Sequence, residues 1–179
     1  SLVMITLGTG VGSGIIDNGH LLTGAYGKGA EIGHMTLISG GEKCTCGRKG
    51  CWEAYASATA LIRDTQRAAA ENPDSYVAKL VSENGGKANG KTAFDASIAG
   101  DEVGKKLVDN YVSYVAEGIV NIINTFRPHA VVIGGGISKQ GENLLNPVKE
   151  YVNKYVYGGE ETNVTKISIA KLGNDAGIV

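Results

Sequence analysis

Net charge is almost absent from this sequence: 17 lysines and arginines against 18 aspartates and glutamates leave −1 over 179 residues. That balance gives no electrostatic footprint for nucleic acid or for an anionic membrane surface. No apolar run is long enough to cross a bilayer. The opening "SLVMITLGTG" reads as a strand; it has neither the basic n-region nor the cleavage pattern of a secretory signal. Cysteine is scarce and odd in number, three in all, which excludes a disulfide framework and leads us to expect a reducing, cytoplasmic setting. There is no internal repeat and no linker, and only three prolines.

What is present is ordinary for a soluble globular chain: 42% hydrophobic and 20% charged residues, enough for one sizeable domain or a large lobe with a real core. Glycine is the exception. The 27 glycines sit between apolar runs and read as tight connections rather than low complexity.

Hydrophobic periodicity divides the chain into three stretches. "LVMITLG" is a short strand, followed by "GIID", Asn18-Gly19 and "HLL", a hairpin signal. "EAYASATALIRDTQRAAAE" is a helix ended by Asn72-Pro73; "SYVAKLVSE" and "TAFDASIAG" are shorter ones. From Asp101 to Phe126, Val108, Tyr111, Val112, Val115, Ile119, Ile122 and Ile123 recur at helical steps and predict a wide buried stripe, closed by Arg127-Pro128. "HAVVIGGGIS" is a buried strand running into glycines. A helix with a restart at Pro147 and a last strand, "TKISIAKLG", follow. The whole is mixed α/β in one lobe.

The window "EIGHMTLISGGEKCTCGRKGCWE" holds all three cysteines, the only tryptophan and one of three histidines. Cys44, Cys46 and Cys51 with His34 supply three thiolates and one imidazole, a closed tetrahedral set for structural Zn²⁺. A closed site has no open position from which to activate water. Gly47 and Gly50 suit the tight turns of such a knuckle. Glu31 and Glu53 flank the ligands, so a metal clamp would pin both carboxylates toward one pocket, where they suit sugar hydroxyls. His34 can bind metal through one ring nitrogen and a ligand through the other. Spacing alone leaves Glu31 and Glu53 open between ligand contact and solvated loop acids; Glu42 is read as the latter.

These motifs resemble the signature of the ROK family of sugar kinases and related repressors: "EIGH", then "CTCGRKGCWE". "GCWEAYASATAL", "LGTGVGSGII", "VVIGGGIS" and "LGNDAG" resemble the family's bacterial glucokinases, so the likeness runs along essentially the whole chain. It implies the C-terminal lobe of an actin-like or hexokinase-like ATPase (ribonuclease H-like) fold, with an inserted zinc-binding loop at 34–51. It implies phosphorylation of a hexose, glucose, at its 6-hydroxyl by ATP with Mg²⁺, in an enzyme that is a homodimer. Carried over by position, Glu31, His34 and Glu53 hold the sugar, and His34, Cys44, Cys46 and Cys51 the zinc. Ala30 stands where many members have glycine, with little consequence expected.

"GTGVG", Gly8 to Gly12, is neither a Walker loop nor a convincing Rossmann fingerprint, because no G-K-[ST] follows and a strand stands where a helix should open. Alone it is explained equally by a hairpin turn. The resemblance makes it the second phosphate loop, with Thr9 and Gly10 as phosphate contacts, and places Gly135 and Gly136 at the adenosine. His20 and His129 receive no role. The same resemblance puts a D-x-G-G-T loop and the catalytic aspartate in an N-terminal lobe; no D-x-G-G-T occurs in these 179 residues. The expectation is therefore a single C-terminal lobe, cut at both ends, its N-terminal lobe absent. A repressor's sugar-sensing lobe is the alternative, and a Rossmann dehydrogenase using "VVIGGGIS" a third reading; ATP binding without NAD binding would remove the latter.

Overall fold

The computed structural model describes residues 1–171, so the "LGNDAG" stretch at 172–177 lies outside the described residues. Strands β1 (Leu2–Leu7), β2 (Val11–Asp17), β3 (His20–Leu21), β4 (Ala130–Gly134) and β5 (Lys166–Ile169) form one sheet in the order β3-β2-β1-β4-β5. β1, β2 and β3 are antiparallel, and β1, β4 and β5 run parallel. Three antiparallel strands followed by parallel ones is the sheet expected of an actin-like ATPase lobe. The hairpin turns at Asn18 and Gly19, with φ of 47° and 78°, the left-handed pair that a two-residue turn of this hand requires.

Six helices cover the sheet or extend from it among the described residues: α1 (Glu53–Ala56), α2 (Ala58–Glu71), α3 (Tyr76–Glu83), α4 (Thr92–Ile98), α5 (Glu102–Phe126) and α6 (Glu142–Tyr155). Every residue of the expected α5 stripe is buried. Ile119, Ile122 and Ile123 share one core with Val3 and Ile5 of β1, Val131 and Ile133 of β4, and Leu144 and Val148 of α6. A smaller cluster, Ala69, Val77, Val81 and Ala96, holds α2, α3 and α4 together. Arg127, at φ 42° and ψ 55°, ends α5 in the left-handed region, as a residue before proline must leave the helix.

Two helix expectations change. The helix expected from Glu53 to Glu71 breaks at Ser57, which sits at ψ 160° and accepts the Ala60 N–H at 3.1 Å; an N-cap inside an alanine-rich run starts a second helix. At Pro147 there is no restart: α6 runs through it. The proline removes one ladder bond, and the buried face of Leu144, Leu145, Val148 and Val152 holds the helix in one piece.

Candidate functional site

β1 and β4 run parallel, so the loops at their carboxyl ends, Gly8–Gly10 and Gly135–Gly136, lie at one end of the sheet. The "EIGH" segment is brought to the same end. Ile32–His34 forms a 3-10 turn on β2, and Gly33 lies so close to the Val11 carbonyl that no Cβ fits. From there the chain makes a knuckle. Thr36 bridges Cys51 and Lys43 bridges Lys49, with Cys44 N–H donating to the Arg48 carbonyl at 2.9 Å and Leu37 N–H to Gly50 at 2.7 Å. Gly47 and Gly50 take φ of 89° and 81°, and a side chain at Gly50 would strike the Ile38 carbonyl. The base of the loop is anchored by Trp52, fully buried, whose Nε1–H donates to the Tyr114 carbonyl at 2.8 Å and whose ring occupies the space left by Gly118 of α5.

The knuckle brings His34, Cys44, Cys46 and Cys51 together, their ligand atoms all within 4.8 Å of one another. His34 Nδ1 is 3.5 Å from Cys44 Sγ, and Cys46 Sγ is 3.7 Å from Cys51 Sγ. A tetrahedral zinc with bonds of about 2.3 Å to sulfur and about 2.0 Å to nitrogen requires edges of about 3.8 and about 3.5 Å. The donor set therefore fits zinc in number, softness and spacing, with no position left for water. Burial pushes the Cys51 thiol up to about 12, and hydrogen bonds with Cys46 and Cys44 add to the shift. The Arg48 N–H holds exposed Cys46 below the usual thiol range. A thiolate at buried Cys51 thus needs a compensating cation beside it.

The two flanking glutamates differ. Glu31 is exposed, and its carboxylate has no hydrogen-bond partner among the described residues. Glu53 is half-buried and engaged at both oxygens: Oε2 accepts the Val11 N–H at 3.0 Å, and Oε1 accepts Thr45 Oγ1–H at 2.9 Å. A Cβ at Gly10 would fall onto Glu53 Oε2. With His34 Nδ1 turned to Cys44, the other ring nitrogen is the one left for a ligand. Glu42 is not the solvated acid expected. It accepts from Arg67 at 2.5 Å, with Arg63 at 3.9 Å, and the Arg67 hydrogen bond holds its carboxyl below the usual range. Two arginines four apart on α2 face this loop, a spacing visible in the sequence once the helix start is placed at Ser57.

Thr9 is exposed at the tip of the Gly8–Gly10 loop, which is tied down from behind: the Gly8 carbonyl accepts the Ala58 N–H at 2.8 Å, and the Thr9 carbonyl accepts Thr59 Oγ1–H at 2.8 Å. The two glycines after β4 separate in role. Gly135, at φ 84°, has its Cβ position 2.6 Å from Leu7 backbone atoms, so packing against β1 already demands glycine there. Gly136 faces open space. Arg48, which the sequence did not single out, donates to the His34 carbonyl at 3.2 Å and to Thr36 Oγ1 at 2.9 Å and closes the knuckle over the "EIGH" turn.

Ala30 matters more than expected. Its φ of 62° is left-handed, and the Ser13 hydroxyl donates to its carbonyl, fixing it there. A left-handed alanine costs about 1–2 kcal/mol, partly offset by the chain entropy that glycine would lose on folding. Ala30→Gly is expected to stabilise the chain by about 0.5–1 kcal/mol, read as a rise of a few degrees in thermal melting; an unchanged or lower melting point would contradict the strain.

The sequence model described as the ROK family matches residues 1–179. The glucokinase of Halalkalibacterium halodurans is 40% identical over 180 residues, which is 100% of this chain and 54% of that protein. The xylose repressor of Bacillus spizizenii is 32% identical over 157 residues, 88% of this chain and 37% of the repressor. Among solved structures, a ROK family glucokinase from Streptomyces griseus in complex with glucose and AMPPNP superposes with a TM-score of 0.89 at 35% identity, covering 98% of this chain and 57% of that one. The chain thus spans about half the length of the glucokinases it matches. No helix among the described residues is long and apolar enough to cross a membrane.

Proposed function

The chain belongs to the ROK family, and from that premise we propose that it is the C-terminal lobe of a cytoplasmic, homodimeric sugar kinase that transfers the γ-phosphoryl group of ATP to the 6-hydroxyl of glucose. The observation that carries this reading is the meeting, at one end of the sheet, of the Cys₃His cluster, the unengaged Glu31 and the Gly8–Gly10 loop that Glu53 touches. Glu31 and Glu53 accept hydrogen bonds from sugar hydroxyls, and the second ring nitrogen of His34 meets another. His34, Cys44, Cys46 and Cys51 hold zinc, which supplies rigidity and no chemistry. Thr9 and Gly10 face the phosphates, and Gly135 and Gly136 lie at the adenosine, with Gly136 leaving the space for it. Mg²⁺ arrives with ATP. The general base comes from the N-terminal lobe that the resemblance implies.

In the complete enzyme, Glu31→Gln is expected to raise KM for glucose by about tenfold or more, because hydrogen bonds to a charged acceptor contribute about 1.5–3 kcal/mol. KM for ATP should stay within about twofold, since no hydrogen bond links Glu31 to the Gly8–Gly10 loop among the described residues. A variant in which only the ATP constant moved would remove Glu31 from the sugar site. The likeness to a xylose repressor favours a second reading, a sensing lobe that binds sugar without turnover. Sequence upstream of Ser1 separates the two: a D-x-G-G-T loop with its aspartate, or a recognition helix for DNA. The higher identity to glucokinases supports the kinase.

A further inference from the structure

We infer that Glu53 couples the sugar site to the phosphate loop, so that hexose and nucleotide each tighten the other's binding through this one carboxylate. The inference rests on the kinase reading above and adds to it a physical link between the two sites. Glu53 reaches across 42 residues of sequence to the Val11 N–H, at 3.0 Å. Gly10 is pressed against the same oxygen, with no room for a Cβ. The other oxygen is held by Thr45, which sits between two zinc ligands, Cys44 and Cys46.

The backbone of Glu53 is fixed, because buried Trp52 immediately before it is locked onto α5. The side chain itself is placed by hydrogen bonds from Val11, Thr45 and Cys44. The loop is fixed on its far side as well, since its Gly8 and Thr9 carbonyls are bonded to the start of α2. The Gly10–Val11 peptide is bonded on both sides, its carbonyl accepting the Gly8 N–H at 3.0 Å and its N–H held by Glu53 at 3.0 Å. An ionised carboxylate offers about four acceptor positions, of which the Val11 N–H, Thr45 Oγ1–H and, at 3.6 Å, Cys44 Sγ take three. A sugar hydroxyl that donates to a remaining position narrows the rotamers of Glu53. It thereby fixes the carboxylate that holds the Val11 N–H before the triphosphate arrives. Ordering supplied by one ligand need not be supplied again by the second, and the linkage is reciprocal.

The test uses the full-length, zinc-loaded protein and calorimetric titration with a non-hydrolysable ATP analogue, with and without saturating glucose. In the wild type, glucose is expected to tighten analogue binding by about fivefold or more, within the usual range of coupling. Glu53→Gln and Gly10→Ala should reduce that factor to within about twofold of one, with zinc content unchanged. Gly10 is not in the left-handed region, so alanine there displaces Glu53 without backbone strain. Glu31→Gln should weaken glucose yet leave the coupling factor at saturation as in the wild type. Persistence of coupling in both Glu53→Gln and Gly10→Ala overturns the inference, as does its equal loss in Glu31→Gln. Loss of zinc from both loop variants would make Glu53 a prop of the metal loop and overturn it too. A wild type that binds both ligands independently sinks the coupling alone; one that binds no hexose sinks the kinase reading with it.

Discussion

Cys46→Ser is expected to empty the zinc site and to loosen the whole segment from Thr36 to Lys49, where the wild type carries about one zinc per chain. The reason is how little else holds that segment. Thr36, Ile38, Ser39, Gly40, Lys43 and Thr45 through Lys49 are exposed. The apolar cluster beneath consists of two of the cysteines themselves with Ala54 and Tyr55. On the proposed reading, four ligands drawn from the "EIGH" turn, the knuckle and the loop base act as its core. A serine hydroxyl does not ionise near neutral pH and cannot replace a thiolate. Structural zinc binding is folding free energy, so the loss should reach several kcal/mol and about 10 °C or more in melting temperature at this chain length. Limited trypsin digestion reads the same event locally. Lys43, Arg48 and Lys49 should be protected in the wild type and cut rapidly in the variant. Because Glu53 shares this scaffold through Thr45, sugar binding should fall along with the metal. Protein purified without chelator that carried no metal and still resisted trypsin at these sites would contradict the assignment.

The strands, the α5 stripe and the Cys₃His cluster were legible from the sequence because each rests on local repetition or on a rare residue type. Val3, Ile5 and Leu7 alternate, the α5 positions recur every three or four residues, and three cysteines stand within eight residues. What stayed hidden depends on residues far apart in the chain. Gly10 reads as a backbone suited to phosphates, while its nearest constraint is a carboxylate from position 53. Gly135 reads as room for a nucleotide, while Leu7 of the neighbouring strand already excludes its Cβ. A glycine inside a long helix is unfavourable by propensity, yet at Gly118 the Trp52 ring fills the place a side chain would take. Glu42 looked like surface because its partners Arg63 and Arg67 belong to a helix whose start depends on Ser57. In each case the residue type carries the constraint but not the identity of the partner. For Gly135 and Leu7 the sheet order, with β1 beside β4, brings the partners together; for Gly118 and Glu42 it is the packing of the metal-site loop against α5 and α2.

Expressed by itself, the 179-residue chain should phosphorylate no measurable glucose, more than about a thousandfold below the complete enzyme. Phosphoryl transfer depends on positioning and on charge stabilisation around an in-line geometry. On the proposed reading, these residues supply sugar hydroxyl acceptors and one phosphate loop. The sequence contains no D-x-G-G-T motif, the context in which the resemblance places the second phosphate loop and the aspartate that takes the 6-hydroxyl proton. Loss of a general base alone typically costs about 10²–10⁴-fold. A cleft with one wall also leaves water around the γ-phosphate, which weakens every remaining electrostatic contact. Weak binding of glucose or nucleotide should survive, because Glu31 and the Gly8–Gly10 loop are held by contacts internal to this chain. Titration of each ligand onto the isolated chain, beside a coupled glucose 6-phosphate assay, therefore separates binding from turnover. Mixing in an N-terminal lobe from a complete relative should restore part of the rate, limited by the entropy of joining two pieces. Turnover by the chain alone within about tenfold of the complete enzyme would place the base among these residues. Asp17 and Glu31, the acids nearest the start of the chain, would then be the first to replace.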